Sequence, residues 1–308
     1  MLGQAILRYL AGREDVVVLA LYRSGSGGCR TPSLPFLATA TCDLGKDEEV
    51  AAVLKDFRPT AVIHAAATGM QIPRPDAKTL TEINVRMAVR LAEVVSRLDR
   101  RSFVHVSSGL AYRDQGRPLR ETDPLDPKHP YGVSKAQAET ELGRVANQAG
   151  LPLTIVRPFS FTGEGDFGTR LFPSLLACAA EQKRFDMSAG DQVRDHSSVD
   201  DIAAGVTAAA LFRPAPRRPE VFNLGAGDTR TLRELVTSVI DQLGLNIDIQ
   251  FGARPHADGE PMFVVPDMTR TRKMLNWKTS ENVAHAVWRL ARHSFPSLNV
   301  REPRRTDE

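Results

Sequence analysis

Cysteine is scarce in this chain of 308 residues: Cys29, Cys42 and Cys178 are odd in number and stand at no metal-ligand spacing. That excludes a disulfide framework and a thiolate metal site, and predicts reduced thiols in a cytoplasmic protein. Charge of one sign is also lacking. A formal net charge of +3 is too small to grip a phosphate backbone, and Arg217-Arg218 and Arg304-Arg305 read as solvated surface and tail. Aromatic residues are 6% of the chain, too few for stacking on single-stranded bases. Nucleic acid is therefore not an expected partner. No apolar run reaches the ~18 residues that a membrane span needs, and the N-terminus carries no signal-peptide pattern. Internal repeats and low-complexity segments are absent as well.

What remains is ordinary for a soluble globular protein, with 42% hydrophobic and 25% charged residues. The length suffices for one large domain or two modest ones. Short β-branched runs alternate with helical stretches through the first half. Residues 16–21 read as a buried strand, 46–57 as an amphipathic helix and 60–64 as the next strand. A long helix is expected over 80–98, then a buried strand leading to Ser108, a helix over 131–148 and a strand over 153–158. Uninterrupted apolar strands joined through helices mean a parallel sheet covered on both faces, so the fold class is α/β. After Pro158 the texture changes to glycine, phenylalanine and short mixed segments. Residues 195–211 read as a strand end and helix returning to the main domain, and Thr231 with Glu234 forms a capping-box pattern opening a helix to Leu243. The expected layout is a main domain over 1–160, joined again by 190–212, an interleaved lobe over 161–189 and 213–295, and a frayed polar tail over 296–308.

Chemistry concentrates at Ser108, Tyr131 and Lys135. Tyr131 and Lys135, four residues apart in Tyr-Gly-Val-Ser-Lys, project from one face of a helix. Ser108 ends an apolar run where a strand gives way to a loop. A phenol with its ordinary pKa of about 10 is a poor acid or base near neutrality. A nearby ammonium favours the phenolate and brings it into range, and a serine hydroxyl can hold the reacting oxygen in line. The three suit the movement of a proton and a hydride at a carbonyl or alcohol carbon. A Tyr-x-x-x-Lys pair alone arises easily by accident, so its weight comes from its surroundings.

Those surroundings carry a resemblance. Asp43-Leu44, the run Val62-Ile63-His64-Ala65-Ala66-Ala67, Asn84-Val85 and Val156-Arg157-Pro158-Phe159 fall in order around the three residues. Farther on stand Val193-Arg194-Asp195-His196-Ser197-Ser198-Val199-Asp200-Asp201, Phe222-Asn223-Leu224-Gly225-Ala226-Gly227, Arg254 before Pro255, and Pro266-Asp267-Met268-Thr269-Arg270 with Leu275-Asn276-Trp277 behind it. In these motifs the chain resembles the extended short-chain dehydrogenase/reductases, in the branch of nucleotide-sugar epimerases, dehydratases and ketoreductases. The resemblance covers nearly the whole chain. It implies a Rossmann-like doubly wound parallel sheet that binds a dinucleotide, with a small interleaved C-terminal lobe for the substrate. It implies that Asp43 and Leu44 pack on adenine, that the cofactor lies along Ala65, Ala66 and Ala67, and that Phe159 borders the nicotinamide pocket. Arg194 and Arg254 would pair the diphosphate of a nucleotide sugar, and Ser160 stands where relatives carry a substrate-contacting asparagine. A homodimer through the helices over 80–98 and 131–148 is implied too.

The chain departs from the pattern at its front. Dinucleotide-binding sheets begin with a strand and a glycine-rich turn that lets backbone approach the pyrophosphate. Here residues 1–7 read directly as helix, with Leu2 and Gly3 at the close of that turn and Gly3 at its last glycine. The first strand of the pattern is missing, which would leave neighbouring strands unpaired. Met1 is expected to be an internal methionine mistaken for a start; the alternative is a degenerate relative that no longer binds cofactor. At the end of the second strand of the pattern, Arg23 and Ser24 replace the acid that would bind the ribose hydroxyls of NAD, which points to NADP. Gly109-Leu110 stand where 4,6-dehydratases carry an acid pair, so sugar dehydration is not expected. Arg113 replaces a common glycine at the pocket mouth. The expected activity is NADP-dependent reduction of a keto group on a nucleotide-linked sugar. Tyr131 would donate the proton, Lys135 would tune Tyr131 and bind the nicotinamide ribose, and Ser108 would hold the substrate oxygen. The alternatives are an epimerase that retains NAD(P), or a non-catalytic relative. No metal is expected.

Overall fold

The computed structural model describes residues 1–23, 37–69, 75–98, 101–256 and 259–304; Ser24 and Cys29 lie outside the described residues. Helix α1 (Leu2–Ala11) leads to β1 (Val18–Tyr22), which pairs in parallel with β2 (Leu37–Thr41). Helix α2 (Asp47–Phe57) carries Asp47, Glu48 and Glu49 in its first turn, where carboxylates suit the helix dipole, and β3 (Ala61–His64) follows. The expected long helix is built from α3 (Ala77–Leu80), a π-helical stretch Thr81–Arg86 and α4 (Met87–Ser96). Then come β4 (Ser102–Val106), α5 (Pro130–Ala149) and β5 (Leu153–Pro158).

Strands β3, β4 and β5 form one parallel sheet with a later strand, β10, in the order β10-β5-β4-β3. Every residue of β4 and β5 is buried, the mark of a sheet covered on both faces. Alternation divides their side chains. Val104, Val106 and Val156 meet α1 and the later helix α7 on one face, while Phe103, Leu153 and Ile155 meet α2, α4 and α5 on the other. This is the doubly wound α/β arrangement expected from the sequence.

Among the described residues the two-stranded β1-β2 sheet is not hydrogen-bonded to the four-stranded one. An apolar cavity of about 540 Å³ runs between them, lined by Leu19 and Leu21 of β1, Ala61 and Ile63 of β3, and Ile6 and Leu7 of α1. The sequence predicts a buried strand over 16–21. Within β1 only Ala20 is buried, and Val17 just before it is 68% exposed. The physical reason is the cavity: among the described residues, β1 has a hydrogen-bonded strand neighbour on one side alone.

The rest of the chain runs β6 (Ser160–Thr162), α6 (Leu171–Ala180), β7 (Phe185–Met187), β8 (Val193–Arg194), β9 (His196–Ser198) and α7 (Val199–Leu211). It continues with β10 (Glu220–Leu224), α8 (Leu232–Leu243), β11 (Ile249–Phe251), β12 (Phe263–Val264), α9 (Thr269–Leu275) and α10 (Val283–Ser294). Phe172, Leu176, Phe185, Val239 and Leu290 belong to a second core joining α6, β7, α8 and α10. Thr231 and Glu234 form the capping box of α8. Two boundaries differ from the sequence reading. Strand β10, placed there with the second lobe, pairs with β5 in the central sheet, because its Phe222 and Leu224 are apolar enough to be buried on it. The segment after Pro296 is not free: Leu298 and Val300 pack against the second core, and the Arg301 N–H donates to Leu243 O at 2.8 Å. Among the described residues no helix is long and apolar enough to cross a membrane.

Candidate active site

Ser108 stands where β4 ends and a 3-10 turn, Gly109–Ala111, begins. Its Oγ accepts the Leu110 N–H at 3.1 Å, which orients the oxygen and leaves the hydroxyl proton available to a ligand. Ser108 is partly exposed, whereas its neighbour Ser107 is buried. Close approach explains two glycines here. A Cβ on Gly109 would touch the Phe159 ring at 3.0 Å, and a Cβ on Gly132 would lie 2.2 Å from Leu110 O. Gly132 therefore lets the first turn of α5 pass against the Ser108 loop, bringing Tyr131 with it.

Helix α5 starts at Pro130, and its N-cap His129 accepts the Tyr131 N–H through Nδ1 at 3.2 Å. Asn84, in the π-helical stretch, accepts the Thr68 N–H and donates to Thr68 O and Ser134 Oγ, each at 2.9 Å. It ties the loop after β3 to the turn of α5 between Tyr131 and Lys135. Such single π turns recur at functional sites. Lys135 is 1% exposed, its Nζ donating to Val106 O at 2.8 Å and lying 5.7 Å from the centre of the Tyr131 ring.

Burial pulls Lys135 down to about 8, against the pull of the Glu139 carboxylate. Burial also pushes Tyr131 up to about 12, and the Arg170 guanidinium works the other way. The sequence reading has the ammonium bring the phenol toward neutrality. In this structure burial works against that expectation, and the cation that opposes it at Tyr131 is Arg170.

Under Lys135, His64 of β3 and His105 of β4 stack with centroids 5.3 Å apart and Nδ1 atoms 3.2 Å apart. Burial lowers His64 to about 3 and His105 well below the usual imidazole range, the Lys135 charge adding to both effects. The pair is neutral near pH 7, and one Nδ1–H can be shared between the rings.

The residues assigned to the cofactor divide. Gly3, Leu44, Ala65 and Ala66 all line the cavity beside β1, and Ala67 is exposed just beyond. Leu2 packs toward α7. The Asp43 carboxylate accepts the Gly45 N–H at 2.9 Å and so shapes its own turn. Arg23 is exposed after β1. Phe159 is buried with Tyr112, Leu119 and Val264. The two substrate arginines differ in their surroundings. Arg194 donates to Glu260 and to Pro261 O, each at 2.9 Å, while Arg254 is exposed after β11. Ser160 pairs with His196 in the β6-β9 ladder. Asp195 is a structural clasp: its carboxylate accepts the Ala226 and Asp228 N–H groups, and a Cβ on Gly225 would come within 2.5 Å of it. Burial pushes Asp195 up to about 6.

Sequence reasoning missed Glu139, Ser107 and the coupling of His64 to His105. Glu139 had a signal, since it lies four residues beyond Lys135 and on the same face of α5. Ser107 had only its place before Ser108. The histidine pair depends on strand register, which places His64 opposite His105.

With this geometry in place, the comparisons with known proteins are consistent. A model of the NAD dependent epimerase/dehydratase family matches residues 1–225. A UDP-glucose 4-epimerase from Lactobacillus helveticus is 28% identical over 306 residues, covering 92% of this chain and 91% of its own. Among solved structures, a UDP-glucose-4-epimerase from Stenotrophomonas maltophila with bound NAD and formylated UDP-arabinopyranose superposes with a TM-score of 0.85 at 20% identity, over 96% of both chains. A dTDP-glucose 4,6-dehydratase from Bacillus anthracis in complex with NAD gives a TM-score of 0.82 at 20% identity, over 95% of this chain and 93% of that one. At these identities the solved structures establish the shared fold.

Proposed function

We propose, since the chain belongs to the NAD dependent epimerase/dehydratase family, that it inverts a hydroxyl-bearing carbon of a nucleotide-linked sugar, as an epimerase that keeps its nicotinamide dinucleotide. The observation that carries this reading is the alignment of Tyr131 and buried Lys135 beneath the Ser108 turn. The likeness to a UDP-glucose 4-epimerase along nearly the whole chain supports the sugar and the reaction type.

The residues present fit the cofactor on two counts. Met1, Gly3, Ala65 and Ala66 open on one cavity, and the space beside Gly3 is empty, with nothing within 4 Å of a built Cβ. Leu2 and Gly3 at the start of α1, Asp43 and Leu44 after β2, and residues 65–67 after β3 would hold the dinucleotide, with Phe159 at its nicotinamide end. When bound, the nicotinamide supplies hydride exchange at the sugar carbon. The protein's own groups handle the proton. Tyr131, acting as the phenolate, would take the proton of the sugar hydroxyl and return it to the oxygen of the transient carbonyl. Lys135 would stabilise that phenolate and bind the nicotinamide ribose. The Ser108 hydroxyl donates to the same substrate oxygen. Arg194, Arg254 and Ser160 would face the nucleotide diphosphate, where a guanidinium pairs two oxygens at once; Arg194 then exchanges Glu260 for phosphate.

A second reading, an NADP-dependent keto-sugar reductase, is favoured by Arg23, exposed after β1 in a stretch without an acid. A homodimer through α4 and α5, in the cytoplasm, belongs to the same proposal, and sedimentation checks the dimer. The deciding experiment incubates the chain with UDP-glucose and either NAD or NADP. Inversion to UDP-galactose without net change in nicotinamide absorbance is expected. Steady NADPH consumption with a 4-keto sugar would instead favour the reductase. No conversion, and no fluorescence change on adding either dinucleotide, would leave a non-catalytic relative.

A further inference from the structure

Glu139, one turn beyond Lys135 on α5, is buried and anchors a polar network that the proposed proton transfer does not use. Ser107 Oγ donates to Glu139 Oε1 at 2.5 Å. Arg157 of β5 grips the same carboxylate, its Nε at 3.0 and 3.2 Å from the two oxygens and its Nη2 at 2.6 Å from Oε2. Arg157 Nη1 donates to Tyr112 OH at 2.7 Å and to Glu121 O at 3.1 Å. Tyr112 OH in turn donates to Asn223 Oδ1 at 2.7 Å, and Asn223 Nδ2 to Leu119 O at 2.8 Å.

A buried ion pair is a poor source of stability, since apolar residues of the same volume often serve as well or better. Its placement is more informative. Lys135 Nζ donates to Val106 O, and Glu139 accepts from the next residue, Ser107. Two consecutive residues at the end of β4 are thus bound to two side chains one turn apart on α5. Together these bonds set the register of the helix that carries Tyr131 against the strand that presents Ser108.

We propose that Glu139, held by Arg157, is a positioning residue for the reaction, locking α5 to the end of β4 so that Ser108, Tyr131 and Lys135 form one constellation. This rests on reading those three as the reacting groups. A second consequence is electrostatic. The ionisable groups facing Lys135 are Glu139 and Tyr131 on its own helix, His64 on β3 and His105 on β4. Both imidazoles are held neutral by burial, so Glu139 is the charge that sustains the ammonium.

The test follows the Lys135 side chain itself. In the cofactor-free chain labelled with 13C at lysine Cε, a pH titration reads its midpoint, with Lys135→Met assigning the resonance. Glu139→Gln leaves a buried guanidinium unpaired and can fail to fold, so the double variant Glu139→Gln/Arg157→Met is measured beside it. The expected result in whichever variant folds is a Lys135 midpoint at lower pH than in the unaltered chain. The alkaline limb of kcat should move the same way, with kcat reduced and KM for UDP-glucose unchanged. A folded double variant with the original midpoint and kcat would overturn the proposal and leave the pair a packing device. Failure of the underlying reading would look different: Tyr131→Phe would keep its activity while the lysine titration still reported on Glu139.

Discussion

The two flanks of the site are built on opposite terms. On one side β4, α5, β5 and β10 enclose polar groups completely: Lys135, Glu139, Arg157 and Asn223 are buried, and each has a hydrogen-bond partner. On the other side α1 and β1 border the cavity of about 540 Å³ with mostly half-buried apolar side chains. The first flank holds the residues proposed to handle the proton, and the second is where the dinucleotide would lie. The contrast teaches that fixed polar contacts are concentrated where the proposed proton transfer would need them. Two bonds act beside the candidate residues themselves: Lys135 holds Val106 O, and Glu139 accepts from Ser107, next to Ser108.

The sharpest break of this contrast is chemical. Tyr131→Phe keeps the ring that packs beside Gly69 and removes only the hydroxyl. A positioned acid contributes about 10²–10⁴-fold to rate, so kcat for UDP-glucose inversion should fall by about that factor with the melting temperature unchanged. Activity within twofold of the unaltered chain, a threshold of about 0.4 kcal/mol in barrier, would mean that the polar flank is structural.

The same deletion on both flanks measures how differently they are packed. Leu153 on β5 is fully buried, so Leu153→Ala should cost about 2–5 kcal/mol. Leu19 on β1 borders the cavity, and Leu19→Ala should cost about 1 kcal/mol, the transfer free energy of a side chain already partly wet. Denaturant midpoints read the difference. Equal losses would show that the β1 flank is as well packed as the sheet centre.

Acid should loosen the side that buries neutral imidazoles. His64, lowered to about 3, and His196, lowered to about 4, both by burial, bind a proton in the unfolded chain well before the folded one; buried His105 shifts the same way. Their contribution is fully present above the unfolded value of about 6.5 and is lost as pH falls toward the folded values, at about 1.4 kcal/mol per unit for each histidine. Asp195, raised to about 6, has the opposite sign: between the carboxylate's ordinary value of 3.8 and 6 the folded chain binds its proton first, offsetting one histidine. Glu121, Asp166 and Asp201, also raised by burial, share that sign. Thermal melts should therefore begin to fall just below pH 6.5 and flatten as these carboxylates take protons. A melting temperature that rises from pH 7.5 to 6 would contradict this assignment.

The catalytic flank was more legible in the sequence than the other. The strands over 103–106 and 153–158 are continuous apolar runs, and the Tyr131 and Lys135 pair sits on a strongly marked helix, so periodicity sufficed. Gly132 was visible as a residue but not as a contact, because its reason is the Leu110 carbonyl, which only the fold brings near. The Glu139 and Arg157 network joins residues 18 apart and depends on how α5 lies over β5. On the other flank the run over 16–21 looks as buried as the central strands. Its exposure is decided by what stands beside it in the sheet, which local apolarity does not encode. Arg194 shows the same limit: its charge suits a diphosphate, but its partner in this structure is Glu260.

The smallest effect is the most direct test of the flank comparison, because one substitution should change sign between the two sides. Ala61 on β3 is half-buried and lines the cavity. Adding two methyl groups there puts apolar atoms into space rather than into neighbours, and β-branching suits a strand. Ala61→Val should raise stability by about 0.5–2 kcal/mol, the usual return from filling a void. Ala203 on α7 is fully buried among Val104, Val156 and Leu224, so the same methyls have nowhere to go, and Ala203→Val should cost about 1–3 kcal/mol through displaced side chains. Opposite signs in paired urea titrations would show that the space beside β3 is a true apolar void. Destabilisation at Ala61 as well would mean that the strand edges close on each other in solution, and that the dinucleotide must part them to bind.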